Sequence, residues 1–197
     1  MRSQQRSRHW NIGILTLLLA GLVCFGAVEG VALPLQDQRE TRYNEAQNSP
    51  LTHDIARTSH YATRYMGDAS KVTGLFRSLP LGPIRSFALD PDVFTVQVNL
   101  DASEPMAEID RDRAYLYSAT AAFAYINNLE AVIFNEGSVA YRVTREDLLT
   151  WYGVNGFSAL TADSAVWKKA VQDKLADREY ARRAFRELFR ESETLSV

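Results

Sequence analysis

The chain has one cysteine, Cys24, and only three histidines among its 197 residues. A single thiol excludes an internal disulfide and any zinc site built on several thiolates. Also missing are a Walker phosphate loop, a His-Glu-x-x-His metalloprotease pair, a Gly-x-Ser-x-Gly nucleophile elbow and the ligand order of a calcium loop. No repeat of twenty to fifty residues is present, which excludes solenoids and propellers. Nor is there a strong charge of either sign. Setting aside Arg2, Arg6, Arg8 and Glu29, the 22 basic and 24 acidic residues become 19 and 23, a net of about −4. Such a surface gives no electrostatic reason to bind nucleic acid or to lie on anionic lipid.

What is present begins with Trp10–Val28, a stretch without a charged residue that follows Arg2, Arg6 and Arg8. As a helix rising about 1.5 Å per residue, Ile12–Val28 reaches roughly 26 Å, near the roughly 30 Å of bilayer hydrocarbon. Extension to Leu33 closes the gap. The basic residues precede the apolar run, so the positive-inside bias keeps the N-terminus cytoplasmic and exports the rest. A signal peptide cleaved after Ala32 shares the basic start and apolar middle, and the domain would then be secreted. The poor cleavage site, with Glu29 beside it and no Ala-x-Ala, favours an anchor. Gly21, Leu22 and Val23 lack the pattern that lipoprotein processing at Cys24 needs, so Cys24 reads as a small buried hydrophobe.

Residues 1–11 are thus a cytoplasmic start, 12–33 an anchor and 34–54 a polar, flexible tether without hydrophobic periodicity. Order is expected from Ile55. Asp68 or Ser70 caps a helix whose Val72, Leu75, Phe76 and Leu79 share one face and which Pro80 ends. Ile84–Leu89 and Phe94–Leu100, around the turn Asp90-Pro91-Asp92, form a hairpin with Phe94, Val96, Val98 and Leu100 on its buried face. A buried helix over Arg111–Asn128 follows, stopped by a left-handed Asn127 or Asn128. Ala131–Phe134 and Val139–Val143 flank Gly137 in a second hairpin. Thr144 and Asp147 make a capping box, Val143 and Leu148 a hydrophobic staple, and Gly153 the stop of a short helix. From Ser164 a helical period runs to Leu188, broken near Asp177-Arg178, as one helix or two, with a Glu179–Arg183 pair. The last six or so residues are expected to fray. The fold class is α+β: helix, hairpin, helix, hairpin, helix over 55–155, with a C-terminal helical extension over 156–197.

In order, Tyr65–Val72 (Tyr-Met-Gly-Asp-Ala-Ser-Lys-Val), Ser78–Leu81, Asn127–Val132 (Asn-Asn-Leu-Glu-Ala-Val), Thr144–Leu148 (Thr-Arg-Glu-Asp-Leu) and Tyr152-Gly153 resemble the DUF4825 domain family of bacteria, whose function is unknown. Ala69 stands where the family form has asparagine. The resemblance covers roughly Arg57 to Gly153. It implies a membrane-tethered or exported domain, typical of Gram-positive bacteria and sometimes joined to sensors of the antibiotic-responsive metallopeptidase type. It assigns no activity and no catalytic residue.

Each sharper candidate has a plainer explanation. Asp68, Ser70 and Lys71, at a helix start, are the residues that would contact an anionic ligand or a partner, although capping alone accounts for Asp68 and Ser70. His53, Asp54 and His60 offer metal-ligand chemistry, but read better as surface histidines. Glu104, Glu108, Asp110 and Asp112 read as an acidic loop and helix start rather than a glycosidase pair or calcium site. Arg182, Arg183, Arg186 and Arg190 form a basic stripe interleaved with glutamates, hence a solvated face. Tyr115, Tyr117, Phe123 and Tyr125 read as core. No catalytic residue, metal site or cofactor is expected, and no nucleic acid. The expectation is a binding or sensory module at the cell envelope whose partner is a membrane or envelope protein. An enzyme with a dispersed site and a structural envelope component are the alternatives.

Overall fold

The computed structural model describes residues 33–103 and 105–193. Leu33–Ala46 is a helix, α1. This corrects the reading of a flexible tether. The sequence of α1 repeats no apolar residue at helical spacing, so periodicity gives no sign of it. Trp10–Val28 lies outside the described residues, and among those described no helix is long and apolar enough to cross a membrane.

Residues 46–197 form a separate compact unit. Its ordered core begins earlier than Ile55, because Pro50 and His53 are already buried. A 3₁₀ turn, Ile55–Tyr61, carries its own cap in Asp54, which accepts from the Ala56 N–H at 3.1 Å. Helix α2, Ala69–Ser78, is capped by Asp68 rather than Ser70 and buries Val72, Leu75 and Phe76. The first hairpin is β1, Ile84–Asp90, and β2, Thr95–Leu100. Val96, Val98 and Leu100 are buried as the alternation requires, but Phe94 is not. It sits in the turn at φ 50°, 42% exposed, so β2 starts one residue later.

Helix α3, Glu108–Tyr125, is buried along most of its length. Neither Asn127 nor Asn128 is left-handed. Ile126 instead turns extended and pairs with Thr63, while Asn128 Oδ1 accepts from the Met66 N–H at 2.6 Å. The helix therefore stops on a tertiary contact, which local turn chemistry cannot announce. The second hairpin is β3, Ala131–Glu136, and β4, Val139–Thr144, turning at Gly137 with φ 62°. Helix α4, Arg145–Tyr152, has the expected Thr144 cap and a left-handed Gly153 at its end. Asp147 Oδ2 accepts from the Thr144 hydroxyl at 2.6 Å, closing the box side chain to side chain.

The strand order is β1-β2-β3-β4-β5, with β5 formed by Arg190–Glu193. The two hairpins join through a parallel β2–β3 pair, Val96 beside Val132 and Val98 beside Phe134. Parallel strands need a long crossover. Here α3 is that crossover, and its 18 residues reach about 27 Å as a helix, enough to return past strands of about 20 Å. One face of the sheet carries Phe87, Phe134 and Tyr141 against the helices, with Tyr115 stacked on Phe134 at 4.4 Å and Phe185 at 5.4 Å from Tyr141. The other carries an amide ladder. Asn135 Nδ2 donates to Asn99 Oδ1 at 2.7 Å, and Asn99 Nδ2 donates to Ser86 Oγ at 2.8 Å.

The segment read as a C-terminal extension completes this core. A helix over 164–176, α5, comprises Ser164–Trp167, a π-turn Lys168–Gln172, and Asp173–Ala176. It buries Trp167, Val171, Gln172 and Leu175. Helix α6, Arg178–Leu188, is a second helix, capped by Asp177 through the Glu179 and Tyr180 N–H groups. No Glu179–Arg183 ion pair forms among the described residues; Arg183 lies over the Trp151 ring instead. Fraying at the extreme end falls on 194–197, outside the described residues, but Arg190–Glu193 pairs with β4 as an edge strand. Its charged side chains are those that discourage further edge pairing.

Candidate functional site

His53 is not a surface histidine. It is buried, with Nδ1 at 2.8 Å from the Tyr117 hydroxyl and Nε2 at 2.9 Å from the Ser78 carbonyl. A carbonyl only accepts, so Nε2 carries the proton and donates, and neutral Nδ1 accepts from the Tyr117 O–H. Burial lowers the imidazole pKa below the usual histidine value, against smaller raising contributions from the Ser78 contact and Asp54, and Arg57 lowers it further. The Tyr117 hydroxyl is pushed upward by burial and stays protonated. Gln172 locks the same turn, its Nε2 donating to the Pro50 carbonyl at 3.0 Å and the His53 carbonyl at 2.9 Å.

Above this imidazole opens a cavity of about 170 Å³ lined by Gln47, His53, Arg57, His60, Tyr61 and Ser78. Three stretches build it: the turn after α1, the 3₁₀ segment and the end of α2. Gly74 shapes its wall. A Cβ at that position would overlap the Tyr61 ring, reaching Cδ1 at 2.8 Å, so the missing side chain lets the tyrosine lie against the helix. The His60 ring stacks tilted on Tyr61 with centroids 3.9 Å apart, and the Lys71 ammonium donates to the His60 carbonyl.

The expected contact residues divide around this cavity. Asp68 Oδ1 accepts from the Lys71 N–H at 3.1 Å, so its carboxylate is spent on the cap. Ser70 lies exposed on the first turn of α2. Lys71 is bound to the segment that carries His60, one residue from the cavity wall. The histidines and Asp54 form no metal centre: both His53 nitrogens are engaged, and among the described residues no three His, Cys, Asp or Glu side chains are placed to hold an ion. The acidic group also disperses. Asp112 turns inward to Arg111 at 3.0 Å, its carboxyl pushed up by burial against the pull of that guanidinium, while Asp110 pairs with Arg113 at 3.8 Å. Glu104 lies outside the described residues.

A second convergence lies at the far end of the sheet. Thr63 and Met66 meet Ile126 and Asn128, and Arg145 reaches back to the same loop. Its Nε donates to the Leu129 carbonyl at 2.6 Å and its Nη2 to the Ile126 carbonyl at 2.7 Å, with the guanidinium over Phe123 and Phe157. Three sequence-distant segments, 63–72, 126–132 and 144–148, thus support one another. Residues 59–144 match the DUF4825 family, a domain of unknown function.

The DUF4825 match runs from the end of the 3₁₀ turn through β4, and so takes in α2, both hairpins and α3. No curated protein and no solved structure matches the chain. Of the cavity residues, His60, Tyr61 and Ser78 fall within the DUF4825 stretch, while Gln47, His53 and Arg57 precede it. Nothing in the sequence singles out Gln47, Arg57 or Tyr61. The one local signal was Gly74 inside a helix face, an energetically unfavourable residue unless something packs against it.

Proposed function

We propose that the chain is an anchored extracytoplasmic binding module of the bacterial cell envelope, sensing a ligand or partner through the cavity beside His53. The export reading draws on Arg2, Arg6 and Arg8 before the uncharged Trp10–Val28. The observation that carries the binding reading is the cavity itself, where Arg57, His60, Tyr61 and Gln47 gather over a fully hydrogen-bonded His53. Its small size suits recognition of a small group rather than a drug-sized molecule, for which pockets of about 300–1,000 Å³ are usual. The lining residues Gln47, His53 and Arg57 lie in the stretch that follows α1. A membrane or envelope protein is the partner such a module would engage.

His53 is poorly placed as a general base, because both ring nitrogens already have partners. The test is thermal denaturation of the full chain in detergent with fractionated envelope extracts. A fraction should raise the melting temperature of the wild type and leave Arg57→Ala/His60→Ala unmoved. Turnover of an envelope substrate by the purified chain, abolished by one point mutation, would replace this reading with an enzyme.

A further inference from the structure

Independently of the cavity beside His53, we propose that a second cleft binds a small amine, a molecule carrying a primary ammonium on a short carbon chain. The 3₁₀ turn Ile55–Tyr61 is the wall between the two: His60 and Tyr61 line the first cavity, Ile55 and Ser59 the second. Tyr125 at the end of α3 and residues 161–164 at the start of α5 complete the second cleft. Its volume of about 410 Å³ falls within the roughly 300–1,000 Å³ usual for small-molecule sites.

Hydrogen-bond polarity decides the class of ligand. The Ser59 hydroxyl donates its proton to the Ala56 carbonyl at 2.7 Å, and the Tyr125 hydroxyl donates to the Ile55 carbonyl at 3.3 Å. Each oxygen is thereby left to accept from anything that enters. Asp163 accepts from the Ala165 N–H through Oδ1 alone, at 3.0 Å, and an ionised carboxylate has acceptor capacity on both oxygens. The cleft therefore meets a ligand with acceptors.

Charge selects among donors. No lining residue is basic, and Asp163 forms no ion pair among the described residues. Lys168, one turn further along α5, is committed to Asp173. An ammonium brings three N–H donors and the charge that matches the one carboxylate, while Ile55 and the Tyr125 ring offer apolar surface to its carbon chain. The site draws on neither Arg57 nor Asp54.

The full chain, in phosphatidylcholine nanodiscs with ¹³C-methyl-labelled alanine, is titrated with butylamine and in parallel with butanol, butyrate and methyl glucoside. Ala56 and Ala162 line the cleft and report on it. Butylamine should shift both methyl resonances saturably, butanol several-fold more weakly, and butyrate not at all. Asparagine caps a helix as well as aspartate does, so Asp163→Asn should keep the melting temperature. Its affinity for butylamine should fall about threefold to tenfold, between the worth of an exposed ion pair and that of a charge-assisted hydrogen bond. Ala162→Trp should fill the cleft and abolish the shift at Ala56. Exchanging the lipid for phosphatidylethanolamine separates the sources: shifts at Ala56 and Ala162 without added butylamine identify a lipid headgroup, and their absence identifies a soluble amine. Equal or tighter binding of butanol, butyrate or methyl glucoside overturns the ammonium assignment, as does a butylamine affinity that Asp163→Asn leaves unchanged. No saturable butylamine shift, or one that survives Ala162→Trp, overturns the site itself. None of these outcomes bears on the His53 cavity, which the extract experiment tests through Arg57→Ala/His60→Ala.

Discussion

The His53 imidazole and the Tyr117 hydroxyl meet at 2.8 Å although 64 residues separate them in the chain. This contact, with Ser78 on the opposite ring nitrogen, fastens the turn after α1 to the central helix α3. Replacing His53 by alanine removes both bonds and strands a buried phenol. Unsatisfied groups of this kind cost about 1–3 kcal/mol each, so His53→Ala should lose about 2–4 kcal/mol in urea denaturation. Tyr117→Phe should lose less, and the two effects should be strongly non-additive.

The same residue sets a pH dependence. Its folded pKa lies below the ordinary 6.5, chiefly through burial, so the unfolded chain takes up a proton first. Stability from His53 is complete above the unfolded value and declines as pH falls from there through the lowered folded value. Denaturation measured between pH 8 and pH 5 should show this slope in the wild type and a flatter one in His53→Gln. Equal slopes would mean that His53 is not the buried neutral group described.

Gly74 and Tyr61 should be coupled. Alanine is ordinarily preferred in a helix by about 1 kcal/mol over glycine, yet a Cβ at 74 overlaps the Tyr61 ring. Gly74→Ala should therefore destabilise the wild type or swing Tyr61 out of the cavity wall, seen as a changed tyrosine environment in near-ultraviolet circular dichroism. In a Tyr61→Ala background the same change should stabilise. A stabilising effect in both backgrounds would contradict the packing.

Phe94 adopts φ 50° while exposed, a conformation that costs an L-residue about 1–2 kcal/mol. Its carbonyl accepts from the Glu130 and Ala131 N–H groups at 2.8 and 3.3 Å, which holds the turn in place. Asparagine tolerates this region, and β-branched residues do not. Phe94→Asn should leave stability within about 0.5 kcal/mol or raise it, and Phe94→Val should lower it by about 1 kcal/mol or more. Chemical denaturation of the pair checks the ordering.

Much of the local structure was legible because its causes are local. Asp68, Thr144 and Gly153 cap or stop helices with their own side chains or backbone, and Val96 and Val98 alternate as a half-buried strand must. The parallel junction of the two hairpins was not legible, since backbone pairing between β2 and β3 leaves no mark on side-chain order. The edge strand Arg190–Glu193 is polar and short, and reads as a fraying end. Phe94 looked like a core residue because it continues a period of two that the turn geometry interrupts. At the candidate site, Lys71 stands out in the sequence by its place at a helix start, whereas Arg57 and Tyr61 join the cavity only through the fold that turns His53 inward. His53 itself gave no sequence sign of burial, because its partners Ser78 and Tyr117 lie far along the chain.

The proposal that residues 46–197 lie outside the membrane is tested most directly by thiol accessibility. Cys24 is the chain's only cysteine, so Cys24→Ser provides a thiol-free background, and Val93, 59% exposed in the β1–β2 turn, accepts a single replacement, Val93→Cys. On intact cells a membrane-impermeant maleimide should label this variant as fully as it does after lysis. Labelling that appears only once the membrane is broken would place the domain in the cytosol and overturn the proposed export.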